Sequence, residues 1–149
     1  MDILVMRKAH IPLALKVEWQ SFPVPWTENM FISELDNPNT FYCMAIEDDV
    51  LLGYAGMSWV LDEGYVNNIA VGTEAREKGI GSALLSALIY KAWDLKLSFL
   101  TLEVREHNQP AIALYSRLGF SAVGKRRGYY ERPTEDAILM TLYFREPAI

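Results

Sequence analysis

Arg76-Glu77-Lys78-Gly79-Ile80-Gly81-Ser82 stands between residues that read as a strand and residues that read as a long amphipathic helix. The first amides of a helix have no intrahelical acceptor and lie at the positive end of the macrodipole, so a glycine-punctuated helix start is suited to an anion such as a phosphate. Gly79 and Gly81 lack a Cβ, which lets the chain take φ > 0 or pass close to a ligand. A Walker loop is excluded, because no Gly-Lys-Ser/Thr follows. A dinucleotide fingerprint fits poorly: the place of its third glycine is held by Leu84, although Glu103 lies about where a ribose-binding acid is expected.

Working outward from this segment, Tyr65 to Val71 reads as the strand before it, and Ile80, Leu84, Leu88 and Leu95 recur behind it, with Ala83 and Ala87, as one helix face. Phe99 to Arg105 alternates Leu100, Leu102 and Val104 with Thr101, Glu103 and Arg105, which predicts a strand with Glu103 turned away from the leucines. Asn108 suits an N-cap for a helix from Gln109 to Leu118, with Pro110 in its first turn and Gly119 ending it. Two last strands are expected over Ala122 to Tyr130 and Ala137 to Phe144.

Towards the N-terminus, Phe41 to Ile46 and Leu51 to Val60 read as strands joined across Glu47-Asp48-Asp49, and Ile3 to Met6 as a short first strand. A helix from Pro12 carries Leu13, Val17 and Trp19. A second, capped by Thr27, carries Met30, Phe31 and Leu35, and the prolines and aromatics of Phe22-Pro23-Val24-Pro25-Trp26 separate the two. The expected order βααβββαβαββ predicts an α/β domain with a sheet of mixed direction.

The chain has 149 residues, 51% of them hydrophobic, enough for one core and too few for two ordinary domains. A single domain over residues 1–149 is expected. No apolar run approaches the ~20 residues of a membrane span, and the first ten residues lack a signal-peptide apolar segment, so a cytoplasmic protein without membrane association is expected. The net charge of −5 argues against direct nucleic-acid binding. Cys43 lies in an apolar run and reads as a buried strand thiol. His10 and His107 have no ligand spacing, so no metal is expected.

Asn68-Ile69-Ala70-Val71, Arg76-x-x-Gly79-x-Gly81, Leu102-Glu103-Val104-Arg105, Asn108-x-x-Ala111-x-x-Leu114-Tyr115 and Leu118-Gly119-Phe120 together resemble the GNAT N-acetyltransferases. Phe22-Pro23 with Pro25-Trp26, Leu61-Asp62-Glu63, Arg126-Arg127-x-Tyr129-Tyr130 and Glu135-Asp136-Ala137-Ile138 resemble the bacterial branch that acetylates ribosomal-protein alanine. The resemblance is close from Asn68 onward and holds at the level of pattern before it. The Phe22–Trp26 loop is two residues longer than that branch's usual Phe-Pro-Trp.

The resemblance implies a mostly antiparallel sheet with a central V-shaped splay, helices on both faces, and acetyl-CoA as cosubstrate. It implies that main-chain groups along Ile69, Ala70 and Val71 hold the pantetheine arm and polarise the thioester carbonyl. The amides of Glu77, Lys78, Gly79, Ile80, Gly81 and Ser82 would take the diphosphate beside Arg76, and Asn108 would contact the arm. Glu103 is implied as general base, made more basic by burial between the strands, and Tyr115 as general acid. The acceptor implied is a protein N-terminus, that of a ribosomal protein in the bacterial branch, flanked by Phe22, Trp26, Tyr129 and Tyr130. Those four could equally be core or edge aromatics.

Proton affinity bears on which amine attacks. An α-amine titrates near 7.7–8.0 and a lysine near 10.4, a gap of about 2.5 units or about 3.5 kcal/mol of deprotonation cost at neutral pH, so one carboxylate base suits the α-amine better. A lysine or small-amine acetyltransferase, and a non-catalytic acyl-CoA-binding module, remain open alternatives at this level.

Overall fold

The computed structural model describes residues 1–76 and 78–145. Glu77, one of the expected diphosphate-binding residues, lies outside them. Seven strands form one sheet in the order β1-β2-β3-β4-β5-β7-β6. They are β1 (Asp2–Val5), β2 (Thr40–Glu47), β3 (Val50–Val60), β4 (Glu63–Val71), β5 (Phe99–Arg105), β6 (Ser121–Tyr130) and β7 (Glu135–Tyr143). The helices are α1 (Ile11–Ser21), α2 (Glu28–Asp36), α3 (Ile80–Asp94) and α4 (Gln109–Arg117). The element order is the one expected from the sequence, and the sheet is antiparallel except between β4 and β5.

Local chemistry explains several of the boundaries. Asp48 and Asp49 both take φ > 0, at 51° and 63°, as a two-residue turn whose twist matches the flanking strands requires. Thr27 Oγ1 accepts the Met30 amide at 3.3 Å and starts α2, and Asn108 Oδ1 accepts the Ala111 amide at 3.2 Å and starts α4. Gly119 ends α4 at φ 101°.

The sheet is covered on both faces because side chains alternate along its strands. On β2, Cys43 and Ala45 join the core under α3 and α4 with Leu84, Leu85, Leu88 and Tyr115, whereas Tyr42 and Met44 join Ile11, Ala14, Val17 and Phe31 of α1 and α2. Cys43 is a buried strand thiol, and burial pushes it up to about 12. Two details differ from the sequence reading. Leu95 caps the C-terminus of α3 and is exposed, so Leu85 and Ala92 complete the buried face that Leu95 was expected to extend. Trp19 is 64% exposed, and the buried stripe of α1 ends instead on Glu18.

The feature that positions the site is where β4 and β5 part. Their ladder runs through Glu63–Phe99, Gly64–Leu100 and Tyr65–Thr101 and no further among the described residues. Asn67 then forms a bulge, since Gly56 pairs with Asn68 and Met57 with Val66. A bulge bends its strand and increases the local twist. Beyond it, Ile69, Ala70 and Val71 on one side and Leu102 to Arg105 on the other form the arms of a V.

Candidate active site

The V opens into a cleft of about 360 Å³, bordered by Ile69 on β4, Glu103 and Arg105 on β5, and Asn108 and Tyr115 at and on α4. The Phe22–Trp26 loop closes one side of it, and Tyr129 and Tyr130 close another. The four aromatics whose role the sequence left open therefore stand around one opening.

Just past the end of β4, Gly72 donates its amide to Leu52 of β3 at 2.8 Å. Successive residues of a strand direct their main-chain groups to opposite sides, so Val71 and Ile69 direct theirs into the V. Arg76 folds back to this edge, its Nε donating to the Val71 carbonyl at 3.2 Å. Lys78 is exposed, and Gly79 takes φ 76° with nothing within 4 Å of where a Cβ would stand. A left-handed residue with open space over it leaves the start of α3 accessible. Ile80, Gly81 and Ser82 form its first turn, and no side chain caps these amides among the described residues. A Cβ on Gly81 would lie 3.4 Å from Leu114 and 3.8 Å from Val71, so the helix start, the end of β4 and α4 meet there. An open strand edge leading to uncapped amides fits an extended chain that ends in a diphosphate.

Tyr115 is 6% exposed and packs on Phe120 with ring centroids 6.1 Å apart. Burial pushes its phenol up to about 12. Glu103 departs from expectation: its side chain keeps 27% exposure rather than being enclosed between the strands, and Arg126 Nε lies 3.6 Å from it. The cause is the strand order, because β6 lies one strand beyond β7 and returns Arg126 across the sheet face to β5. Asn108 spends its side-chain oxygen on the α4 cap, which leaves its amide nitrogen for other partners.

Arg105 organises the far wall. Its guanidinium donates to the carbonyls of Glu131 at 2.8 Å and Pro133 at 3.0 Å, pairs with Glu135 at 3.2 Å, and stacks 4.5 Å from the Tyr130 ring centroid. The His107 amide and then Arg105 hold the Glu135 carboxyl below its ordinary range. Burial foremost pushes the Tyr130 phenol above its usual range. Among the described residues no cluster of three or more His, Cys, Asp or Glu could hold a metal ion.

The sequence names Asn68 only within a motif and gives no sign of its buried contacts with Glu18 and Tyr54; Glu18 and Asn68 border the cleft, and Tyr54 lies buried against both. Glu18 carries a signal that was available: it shares the i, i+3, i+4 stripe of Ala14 and Val17 and so places a carboxylate on an apolar helix face.

Residues 11–120 match the model of the acetyltransferase (GNAT) family. The [ribosomal protein bS18]-alanine N-acetyltransferase of Escherichia coli K12 is 37% identical over 136 residues, covering 89% of this chain and 90% of that protein. The enzyme of that name from Salmonella typhimurium LT2 is 35% identical over 144 residues, covering 94% and 95%. The crystal structure of the Escherichia coli ribosomal-protein-S18-alanine N-acetyltransferase superposes with TM-score 0.91 at 33% identity, covering 99% of this chain and 96% of that one. Arabidopsis thaliana NAA60 in complex with acetyl-CoA shares the fold at TM-score 0.88 and 18% identity. The chain belongs to the GNAT family of N-acetyltransferases, enzymes whose acetyl donor is acetyl-CoA.

Proposed function

We propose that this enzyme acetylates the N-terminal α-amine of a protein, and that its acceptor is the terminal alanine of ribosomal protein bS18, the substrate named for its relatives in Escherichia coli and Salmonella. The observation that carries the reading is the cleft. One cleft is bordered by the Phe22–Trp26 loop and Tyr129–Tyr130 and by Glu103 and Tyr115, beside the arms of the V. A chain end fits such a passage, since its terminal amine can reach the bottom while its backbone lies between aromatic walls. The domain spans the whole chain and works in the cytoplasm.

In this reading the main-chain groups of Ile69 and Val71, which face the V, hold the donor's extended arm, while those of Ala70, expected to share in it, turn toward β3, where Ala70 stands opposite Tyr54. An amide there polarises the thioester carbonyl, an oxyanion-stabilising role. The amides of residues 77–82, with Arg76 and Lys78 nearby, hold the diphosphate, and Asn108 uses its free amide nitrogen on the arm. Acetyl-CoA supplies an activated acyl group with a thiolate leaving group. The amine nitrogen attacks the carbonyl carbon, the C–S bond breaks, and the proton lost by nitrogen passes to Glu103, directly or through one water. Arg126 fixes the position of that carboxylate. Tyr115 donates a hydrogen bond to the sulfur as negative charge develops on it.

The test offers acetyl-CoA with two peptides, one beginning with a free alanine and the other blocked at its N-terminus but carrying lysine, and locates the acetyl group by mass spectrometry. Modification of the alanine amine alone is expected. Modification of lysine alone would refute the α-amine assignment, and unchanged turnover in both Glu103→Gln and Tyr115→Phe would refute the catalytic roles.

A further inference from the structure

Both ends of the Phe22–Trp26 loop are tied to one residue. The Phe22 amide donates to the Glu18 main-chain carbonyl at 3.1 Å, and the Trp26 amide donates to Glu18 Oε2 at 2.9 Å. Because Pro23 and Pro25 have no N–H, the loop's remaining main-chain donor is Val24. The other carboxylate oxygen, Oε1, accepts the Tyr54 hydroxyl and the Asn68 side-chain amide, the latter at 3.4 Å, and Asn68 also donates to the Tyr54 oxygen at 3.0 Å. Glu18 is 1% exposed and Tyr54 fully buried, and Asn68 precedes Ile69 on the open edge of β4. Burial, and next the charge of Glu18, push the Tyr54 phenol above its usual range.

A buried carboxylate carries a desolvation penalty that an apolar side chain of similar volume avoids, so such a group stabilises a fold poorly. What an apolar residue could not do is accept the Trp26 amide. We propose that Glu18 is a positioning residue: it clasps the loop between α1 and α2, sets that loop's distance from the β4 edge through Asn68, and thereby fixes the width of the cleft that receives the acceptor chain. This rests on the reading of the cleft as an acceptor site. It also accounts for how a loop with two prolines and few donors keeps one conformation. Specificity for the acceptor then depends on a residue that need not touch it.

The decisive variant is the double substitution Glu18→Met with Tyr54→Phe, which fills the same space with apolar groups and removes the acceptor for Trp26. Asn68 loses both side-chain acceptors in this variant, and because it borders the cleft, water there can replace them. The variant is expected to fold with unfolding cooperativity and midpoint close to the parent's. Its KM for an alanine-starting peptide should rise on the order of tenfold, the scale expected for a lost charge-assisted hydrogen bond, while kcat and the KM for acetyl-CoA stay within about twofold. Tyr54→Phe alone leaves the Trp26 bond in place and is expected to leave all three constants within about twofold. An unchanged peptide KM in the double variant, or a joint loss of kcat and acetyl-CoA binding, overturns the inference. Should the double variant fail to fold, hydrogen exchange in the parent decides: a Trp26 amide protected by at least about a hundredfold supports the clasp, and exchange at the unprotected rate overturns it. A parent that acetylates no α-amine refutes the functional reading and the acceptor part of this inference together. An active parent with an unchanged double variant refutes the inference alone.

Discussion

Replacing Tyr115 with phenylalanine removes one oxygen and keeps a ring that is 6% exposed and packed on Phe120, so stability should change by less than about 0.5 kcal/mol. The catalytic cost follows from the burial of the phenol. It is pushed up to about 12, against about 8.5 for an ordinary thiol. Full proton transfer to a free thiolate would then be uphill by about 3.5 units, or about 5 kcal/mol at 1.36 kcal/mol per unit. Against a thiolate in water the phenol is a poor proton source and a sound hydrogen-bond donor, so the general-acid role expected of Tyr115 begins as that bond to the sulfur. A hydrogen bond to a charged group is worth about 1.5–3 kcal/mol, which predicts a fall in kcat of about 10- to 150-fold in Tyr115→Phe. The KM for acetyl-CoA should stay within about twofold. Steady-state thiol release with an alanine-starting peptide, measured from neutral to alkaline pH in parent and variant, checks both the size and the form of the effect. Both proteins share every other alkaline transition, so the comparison isolates the hydroxyl. A kcat within twofold of the parent's would refute the hydrogen-bond role. A fall near pH 10 present only in the parent would refute the raised phenol, because an unperturbed tyrosine titrates there.

Three further outcomes concern stability. A Cβ on Gly56 would lie 2.0 Å from Tyr42 Cε2, beneath a ring that is 2% exposed and bounded by Trp26; Gly56→Ala should therefore cost about 3 kcal/mol, the upper end of ordinary overpacking, and lower Tm by about 6–12 °C, whereas a urea-derived loss under about 0.5 kcal/mol would contradict the packing. Burial raises Cys43 and Tyr115 to about 12 and Tyr42, Tyr54 and Tyr130 above the usual phenol range. The unfolded chain releases these protons first, so no stability is lost to them below about pH 9, and it falls as pH rises through the folded values; over its two units Tyr115 alone accounts for a loss of about 3 kcal/mol. Urea midpoints should fall from about pH 9 upward, and a flat profile to pH 11 would count against this. Asn108→Ala removes the α4 cap at 3.2 Å from the Ala111 amide and should cost about 1 kcal/mol in chemical denaturation, with no loss indicating that the cap is dispensable.

The elements were legible in the sequence because each is marked locally. Asp48-Asp49 sets a tight hairpin, Thr27 and Asn108 supply caps, and the alternation of Phe99 to Arg105 gives β5 to the residue. What was not legible depends on strand order and distance along the chain. The Arg126–Glu103 pair requires β7 to lie between β5 and β6, and nothing local to either strand dictates that. Glu18 finds its partners 36 and 50 positions away. The bulge at Asn67, which accompanies the parting of β4 and β5, is set by pairing with Gly56 and Met57 and leaves no periodicity signal of its own. Leu95 was misread because helical spacing says nothing of where α3 stops, and the chain leaves the helix one residue earlier.

The most direct test is a crystal structure of the enzyme with coenzyme A joined through an acetyl bridge to the α-amine of an alanine-starting peptide. The diphosphate is expected on the amides that open α3, the arm along Ile69–Val71, the bridge beside Glu103 and Tyr115, and the peptide leaving between Trp26 and Tyr130. A diphosphate bound away from residues 76–82, or a peptide entering by another face, would contradict this arrangement.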